Sequence, residues 1–311
     1  MQQEPRPPVS PVLVLGMAVL GISISGPLVR FSHAAPLAIA VWRLGMSLCV
    51  IAVFLVWTGT WRQYRRLSRG DVTVALGAGA FLALHFWSWI SSIGMTSVAA
   101  SVVLVNISPV VVALGSALWL HEKPTRVQVA GIAIALAGAV VLAWGDAGGA
   151  AAGSAAGSLS SRALTGDLLA VAGAVTVSGY LLVGRRVRQK LDLWPYVGLV
   201  YGACFVCVLA LALLTGTPLL EQPPREVGIF ALMAFGPMLL GHTGFNWALR
   251  YLPAYVVSLV ALCEPVGATA LAAVLPGIAE VPSMVTLLGG AIILGGVLLT
   301  TRRVSRARTE G

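Results

Sequence analysis

The amino-acid sequence predicts an all-α integral membrane protein with ten transmembrane helices in two inverted five-helix repeats and with both termini in the cytoplasm (N-in/C-in). Three observations predict this fold: the composition, a succession of long apolar runs, and an internal repeat. Hydrophobic residues make up 58% of the 311 residues and charged residues only 10%, whereas a soluble domain has about 25% charged residues. One soluble core could not bury so much apolar surface.

Ten runs in the chain are long enough to cross a membrane, because about 20 apolar helical residues span about 30 Å of hydrocarbon. They are residues 12–30, 36–57, 72–93, 97–120, 126–144, 166–184, 195–214, 227–248, 254–275 and 283–301. The first run is long for a signal peptide and many spans follow it, so we expect it to be retained as a helix.

The basic residues support this count and set an orientation. With the N-terminus inside, sixteen Arg and Lys residues fall on the cytoplasmic side, three fall outside, and Arg43 lies within a span. Such an excess is the usual mark of cytoplasmic loops. The net charge of +9 could also suggest nucleic acid, but the charges lie in short tracts between spans. We therefore expect lipid and no nucleic acid as a partner.

A low-complexity segment, AGGAAAGSAAGSLSS at residues 147–161, divides the chain after the fifth span. Its small residues are typical of a flexible linker. The predicted parts are a cytoplasmic tail (1–11), a first repeat (12–146), an external linker (147–164), a second repeat (165–301) and a basic cytoplasmic tail (302–311).

The two halves repeat each other in sequence. Pro109 aligns with Pro265 and, after a two-residue insertion, Glu122 aligns with Glu280. The other matched pairs are Ser25 with Ser178, Pro124 with Pro282, Thr125 with Ser283, Gly131 with Gly289, and Gly138 with Gly296. Five crossings end on the side opposite the start, so the second copy must be inverted. Inverted repeats are typical of secondary transporters, in which the halves rock about a central site.

Several residues predict local packing. Thr125 and Gln128 have the spacing of a capping box at the start of the fifth helix. The paired glycines of the fifth and tenth helices lie two turns apart and predict close helix contact. Glu122 and Glu280 are expected at helix ends. The four cysteines lie in apolar runs and are expected to be small buried side chains.

The chain resembles the drug/metabolite transporter superfamily, EamA type. The resemblance lies in LHFWSWISSIGMTSVAASVVLVNISPVVVALGSALWLHEKPT, in GHTGFNWALRYLPAYVVSLVALCEPVGATALAAVL and in the arginine of AVWRLGMSL. It implies ten helices, two inverted repeats, a central cavity lined by the first four helices of each repeat, and transport of small organic solutes, often efflux, across the cell membrane. The stretch VLPGIAEVPS departs from the family's usual pattern in an external turn.

Polar residues inside the spans are the candidates for substrate contact, because such groups are costly in a membrane and usually face protein or a cavity. Arg43 lies in the second helix and could attract an anionic group or bond free carbonyls across the bundle. His85 and Trp89 share a face of the third helix, as His242 and Asn246 do of the eighth. Each of these four could line the cavity or only pack.

The fourth and ninth helices each contain a proline that predicts a kink, Pro109 and Pro265. Asn106 and Glu264 lie beside these breaks. Glu264 could bind cargo or act as a structural clamp with backbone donors or with Arg43. The predicted substrate-binding set is Arg43, His85, Trp89, Asn106, His242, Asn246 and Glu264.

The predicted function is export of small metabolites or drugs by alternating access. Proton coupling through Glu264 or His85, uniport and exchange all remain open, as do the substrate and the oligomeric state. No cofactor or metal is expected. One alternative is a membrane-embedded enzyme that uses His85, Ser88 and Glu264 as base, nucleophile and acid. The other is a non-transporting accessory protein.

Overall fold

The computed structural model of the chain describes residues 7–96, 98–150, 161–274 and 282–309, and the regular structure in those residues is all helical. Ten helices there are long and apolar enough to cross a membrane. They are α1 (Pro11–Phe31), α2 (Pro36–Thr58), α3 (Arg69–Ile93), α4 (Ala100–Leu120), α5 (Arg126–Gly145), α6 (Ser161–Val187), α7 (Leu193–Leu214), α8 (Pro224–Ala248), α9 (Ala254–Leu271) and α10 (Met284–Thr301). The predicted all-α fold with ten spans is confirmed.

Helix extends into two segments that the sequence assigns to a linker and a tail. The helix of α5 continues to Ala150, that of α6 begins at Ser161, and that of α10 runs on to Thr309. The tail lacks proline and is rich in arginine, a good helix former, so nothing local ends the helix at the membrane surface. Residues 1–6, 151–160 and 310–311, and Glu280, lie outside the described residues.

The helices α4 and α9 are each built from two segments. In α4 the segment Val98–Val105 is followed by Ser108–Gly115, and in α9 Ala254–Ala261 is followed by Glu264–Val274. The second residue of each following segment is a proline. Proline has no N–H to donate and is tolerated in the first turn of a helix. The two breaks fall at the positions that the internal repeat pairs.

Two serines make the same contact in the two halves. The Ser23 hydroxyl donates to the main-chain oxygen of Glu264 over 3.2 Å, and the Ser178 hydroxyl donates to that of Ser108 over 3.3 Å. Each acceptor precedes the proline of its helix. The contact therefore pairs Ser178 with Ser23, two residues away from the Ser25 that the sequence alignment paired with it.

The middle of α8 is a π-helix over Ala234–His242 with Pro237 inside it. The helix α1 lies very close to this stretch: a Cβ on Gly21 would be 2.8 Å from the main-chain oxygen of Gly236 and 2.8 Å from the nitrogen of Gly241. Real Cβ atoms do not approach so closely, so glycine is needed here for the two backbones to meet.

The helices α5 and α10 also meet through glycine, as the sequence predicts. A Cβ on Gly289 would collide with the main-chain nitrogen of Leu142, and one on Gly296 would lie 2.5 Å from the main-chain oxygen of Gly131. A Cβ on Gly138 would lie 2.6 Å from the nitrogen of Ile293. The predicted small-residue packing is thus confirmed.

The predicted capping box at the start of α5 is present. The Thr125 N–H donates to Gln128 Oε1 over 2.8 Å, and the Gln128 N–H donates to Thr125 Oγ1 over 3.4 Å. These bonds satisfy two of the free donors of the first turn.

The predicted burial of the cysteines is wrong for two of them. Cys49 and Cys207 are exposed on the outer surface of the bundle, and Cys204 is buried. In a membrane protein this outer surface meets lipid, where a small apolar side chain is as well placed as in the core.

The helices pack in a reciprocal pattern. The first helix of each half packs on the third and fourth helices of the other half: α1 on α8 and α9, and α6 on α3 and α4. Helices at equivalent places also pack on each other, namely α2 on α7, α4 on α9 and α5 on α10. Each half therefore makes the same contacts with its counterpart.

The loops that carry most arginines meet at one end of the bundle, called here the basic end. Asp192, just before α7, accepts from Gln63 Nε2 over 2.5 Å and from Arg250 Nη1 over 2.8 Å. Partial burial acts to raise the pKa of Asp192, but these bonds hold it below the usual value. Lys190 pairs with Asp71 over 2.6 Å. The loops of the two halves are thus joined at the basic end.

The loops at the other end of the bundle, the opposite end, are joined as well. The Trp42 Nε1–H donates to the main-chain oxygen of Leu219 over 2.8 Å, and the Thr96 hydroxyl donates to Asp167 Oδ1 over 2.7 Å. Contacts between the halves therefore occur at both ends.

Candidate functional site

Arg43 lies in the interior of the bundle with no exposed surface. Its guanidinium carbon is 4.3 Å from the centre of the Phe86 ring, and Nη2 is 3.7 Å from the sulfur of Met238. Nε and Nη1 have no hydrogen-bond partner within the described residues. A cation over an aromatic face is stabilised, but a buried charge without an anion or strong acceptor is costly. Arg43 therefore has N–H groups that lack a partner in the described part of the chain and could donate hydrogen bonds to an anionic ligand.

His85 is buried beside Arg43's partner Phe86. Its Nδ1 is 2.9 Å from the main-chain oxygen of Gly173 in α6. A carbonyl can only accept, so Nδ1 carries the proton, and in the neutral ring Nε2 is free to accept. The Trp89 ring stacks on the His85 ring, with centroids 6.3 Å apart and planes 8° from parallel. The two residues together offer an aromatic surface and one nitrogen acceptor.

His242 brings the second half of the chain to this cluster. Its ring meets the Phe86 ring edge to face at 5.2 Å and the Tyr180 ring at 6.2 Å. It lies at the end of the π-helix, one turn before Asn246. A pair of histidines, one from α3 and one from α8, therefore flanks the arginine.

Asn246 is completely buried, and its amide makes a polar contact with two tyrosines. Nδ2 donates to the hydroxyl oxygens of Tyr180 over 2.5 Å and of Tyr201 over 3.2 Å. Oδ1 has no partner within the described residues. Neither tyrosine is among the residues that the sequence predicts at the site. Their signal is a hydroxyl in the middle of an apolar run, which is as unusual there as a histidine.

Glu264 is the first residue of the second segment of α9 and is partly buried. Its charge is close enough to that of Arg43 for the two to interact electrostatically. No ion pair joins them among the described residues, so the clamp between them that the sequence allowed is not formed.

Asn106 lies in the two-residue break of α4, half-buried, and its main-chain N–H donates to Val102 over 3.1 Å. No side-chain contact in the described residues joins it to the central cluster. The structure thus brings five predicted residues into one chain of contacts, namely Arg43, His85, Trp89, His242 and Asn246. Glu264 is nearby, and Asn106 is on the paired break. No three His, Cys, Asp or Glu side chains in the described residues could together hold a metal ion.

The sequence model of the EamA-like transporter family matches residues 10–144 and again residues 164–302. The chain belongs to the EamA-like transporter family. The two matches cover most of the chain, and the ten apolar helices make this EamA-like transporter a multi-pass protein of the plasma membrane.

Two curated relatives are also described as transporters. The EamA-like chain is 25% identical over 264 residues to the uncharacterized transporter YyaM of Bacillus subtilis, covering 82% of each chain. It is 28% identical over 243 residues to a probable terminal-alkyne amino-acid exporter of Streptantibioticus cattleyicolor, covering 76% of this chain and 73% of the relative. The family and these names indicate a transporter of a small molecule and not an enzyme.

One solved crystal structure has the same fold. It matches with a TM-score of 0.77 and 21% identity, covering 96% of this chain and 98% of the other. This likeness concerns the architecture of the EamA-like chain and carries no information on its substrate.

Proposed function

We propose that the protein exports small organic metabolites by alternating access around the polar cluster. The observation that carries this proposal is that Arg43 and His85 from the first half are linked to His242 and Asn246 from the second in the interior of an apolar bundle, through the rings of Phe86 and Tyr180. Polar groups there are costly, and they are typical of substrate pathways.

The two halves, 12–146 and 165–301, act in this proposal as inverted repeats. Two observations support the inversion: the family model matches twice, and the helices of the two halves pack reciprocally. Five crossings in each half reverse the direction of the second copy. The basic end then faces the cytoplasm, as expected for arginine-rich loops. A maleimide that cannot cross membranes should label a cysteine introduced in place of Arg66 only from the cytoplasmic side.

Amino acids are the substrates that we propose. Arg43 offers unused donors to a carboxylate, a geometry that guanidinium suits well. Glu264 and Asn246 Oδ1 offer negative and partly negative oxygens to an ammonium group. The curated relative described as an amino-acid exporter supports the same class. Drugs that carry both groups would fit the same arrangement.

The conformation is an occluded one in this proposal. Arg43 and Asn246 have no exposed surface, and contacts between the two halves lie at both ends of the bundle. A solute can reach these residues only after helices at one end separate. Such opening at one end and then at the other is what alternating access requires.

Proton coupling is proposed through Glu264, the acidic side chain whose charge acts on Arg43. A carboxylate that releases its proton on one side and accepts cargo on the other would link the two fluxes. His85 is the second candidate, but its Nδ1 is already bonded to Gly173.

The test is counterflow of radiolabelled amino acids in proteoliposomes containing the purified protein. We expect saturable exchange, and a loss of at least about tenfold with Arg43→Gln, because charged hydrogen bonds are worth about that factor. Arg162→Gln is the matched control, since Arg162 is exposed and, among the described residues, donates to a loop carbonyl, that of Gly94. Absence of saturable flux over the twenty amino acids, or an equal loss in both variants, would contradict the proposal.

A further inference from the structure

A chain of hydrogen bonds runs from the main chain of α8 to the amide of Asn246. The Thr243 hydroxyl donates to the main-chain oxygen of Met238 over 3.1 Å. The Tyr201 hydroxyl lies 3.1 Å from Thr243 Oγ1, and Asn246 Nδ2 lies 3.2 Å from the Tyr201 oxygen. All four residues are buried. The chain joins α7 to α8 at the polar cluster.

The π-helix makes this chain possible. In an α-helix a carbonyl faces the N–H four residues later, whereas in a π-helix it faces the residue five positions later. Met238 and Thr243 are five apart, and the Thr243 N–H also turns toward the Met238 oxygen. The π turn thereby places a side-chain hydroxyl beside a main-chain carbonyl at the end of the irregular stretch.

Only one order of donors and acceptors along this chain of hydrogen bonds keeps every bond. A carbonyl oxygen can only accept, so Thr243 gives its single hydroxyl proton to Met238. Thr243 Oγ1 must then accept from Tyr201, and the Tyr201 oxygen must accept from Asn246. In the reverse direction the Thr243 hydroxyl would no longer donate to Met238. Each group therefore donates to the next in the order amide, Tyr201 hydroxyl, Thr243 hydroxyl and Met238 carbonyl.

The orientation of the Asn246 amide follows from this direction. Its NH₂ group must face the tyrosines, and Tyr180 accepts its second proton. Oδ1 consequently faces away from them, and it is the atom left without a partner in the described residues. The main chain of Asn246 is also fixed, because Arg188 Nε donates to its oxygen over 2.9 Å.

We propose that Thr243 and Tyr201 are positioning residues that make Asn246 an obligate acceptor and so select substrates carrying an N–H donor, such as an ammonium group. The proposal rests on the proposed function, in which Asn246 contacts cargo. It adds a cause of selectivity that lies outside the contact residues. Without the chain the amide could turn over and present NH₂ to the substrate.

The experiment compares matched solutes that differ only in the ammonium group. The probes are L-leucine and 4-methylpentanoate, and L-phenylalanine and 3-phenylpropionate, measured as inhibitors of counterflow in proteoliposomes. We expect the wild-type protein to prefer each amino acid by about tenfold or more, the usual effect of a hydrogen bond to a charged group. Thr243→Val should reduce that preference by about tenfold, mainly through weaker binding of the amino acid.

Two further variants separate positioning from folding. Thr243→Ser keeps the hydroxyl and should restore the preference, and Tyr201→Phe removes the next link of the chain and should lower the preference as Thr243→Val does. Equal weakening of both solutes in Thr243→Val, or an unchanged preference, would overturn the positioning role while leaving transport itself intact. If neither solute of either pair inhibits the wild-type protein, the proposed function and this inference both fail.

Discussion

The Ser32 hydroxyl donates to Glu226 Oε2 over 2.5 Å and so joins the loop between α1 and α2 to the start of α8. The His33 N–H donates to the other carboxylate oxygen over 3.2 Å. At the basic end, Asp71 makes the corresponding contact with Lys190. Glu226 and Asp71 are each the third residue of the third helix of their half. One acidic residue in each half therefore fastens the loop of the other half.

Glu226→Gln should weaken the opposite end selectively. The glutamine amide would keep one acceptor and lose the charge, so the free energy of unfolding should fall by about 1–3 kcal/mol, as for a lost bond to a buried charged group. Asp71→Asn is the matched change at the basic end, where the Lys190 side chain is 61% exposed, and it should cost less because exposed ion pairs contribute little to stability. Thermal unfolding in detergent compares the two, and an equal loss would contradict the difference.

Gly289→Ala should strongly destabilise the contact of α5 with α10. The added Cβ would collide with the main-chain nitrogen of Leu142, and a backbone cannot move aside as a side chain can. Gly295→Ala is the control, since nothing lies within 4 Å of its Cβ position and alanine favours helix. We expect a clear fall in the melting temperature for the first change and none for the second. Similar melting temperatures would show that the helices can separate at no cost.

Asp192 should make stability depend on pH in the acidic range. Its pKa is lower in the folded protein, so its stabilising contribution is present above the ordinary pKa of aspartate, about 4, and is lost as the pH falls through the lower folded value. Asp192→Asn should flatten the melting curve against pH in that range. If the melting temperature of the variant still fell as steeply as that of the wild type on acidification, groups other than Asp192 would cause the pH dependence of stability.

Glu264→Gln should separate proton coupling from transport. Glutamine cannot release a proton, so a pH gradient should no longer stimulate flux. Counterflow at equal pH should continue with weaker binding of the amino acid, because Glu264 also contacts the ammonium group in the proposed function. Both are measured in the same proteoliposomes. Full stimulation by the pH gradient in this variant would remove Glu264 as the proton carrier.

The elements that sequence predicted well depend on local chemistry. The ten spans follow from apolar length, the capping box from the spacing of Thr125 and Gln128, and the α5 and α10 contact from paired glycines. The elements that it missed depend on what a helix meets. The helical spacing of residues in the sequence shows which side chains share a face of one helix. It does not show that Tyr180 and Tyr201 both contact Asn246, since the two tyrosines lie in different helices.

Arg188 is a residue whose burial the sequence did not predict. It lies in a basic tract, so the positive-inside pattern treats it as a solvated loop charge. In the structure only 2% of it is exposed, because it donates to the main-chain oxygens of Asn246 and Leu191. Burial lowers its pKa to about 10. A tract of charges gives a topology, but it does not show which member turns inward.

Each hydrogen-bonded turn of the π-helix in α8 contains one residue more than a turn of α-helix. An α-helix advances about 100° per residue, so a stretch that changed from π to α would turn everything after it by about that angle. The part that follows contains Thr243 and Asn246. A local change of winding between Ala234 and His242 would thus swing the amide away from the tyrosines without tilting the rest of the helix. In the proposed transport cycle, cargo release would then involve a rotation about one helix axis as well as a separation of the two halves.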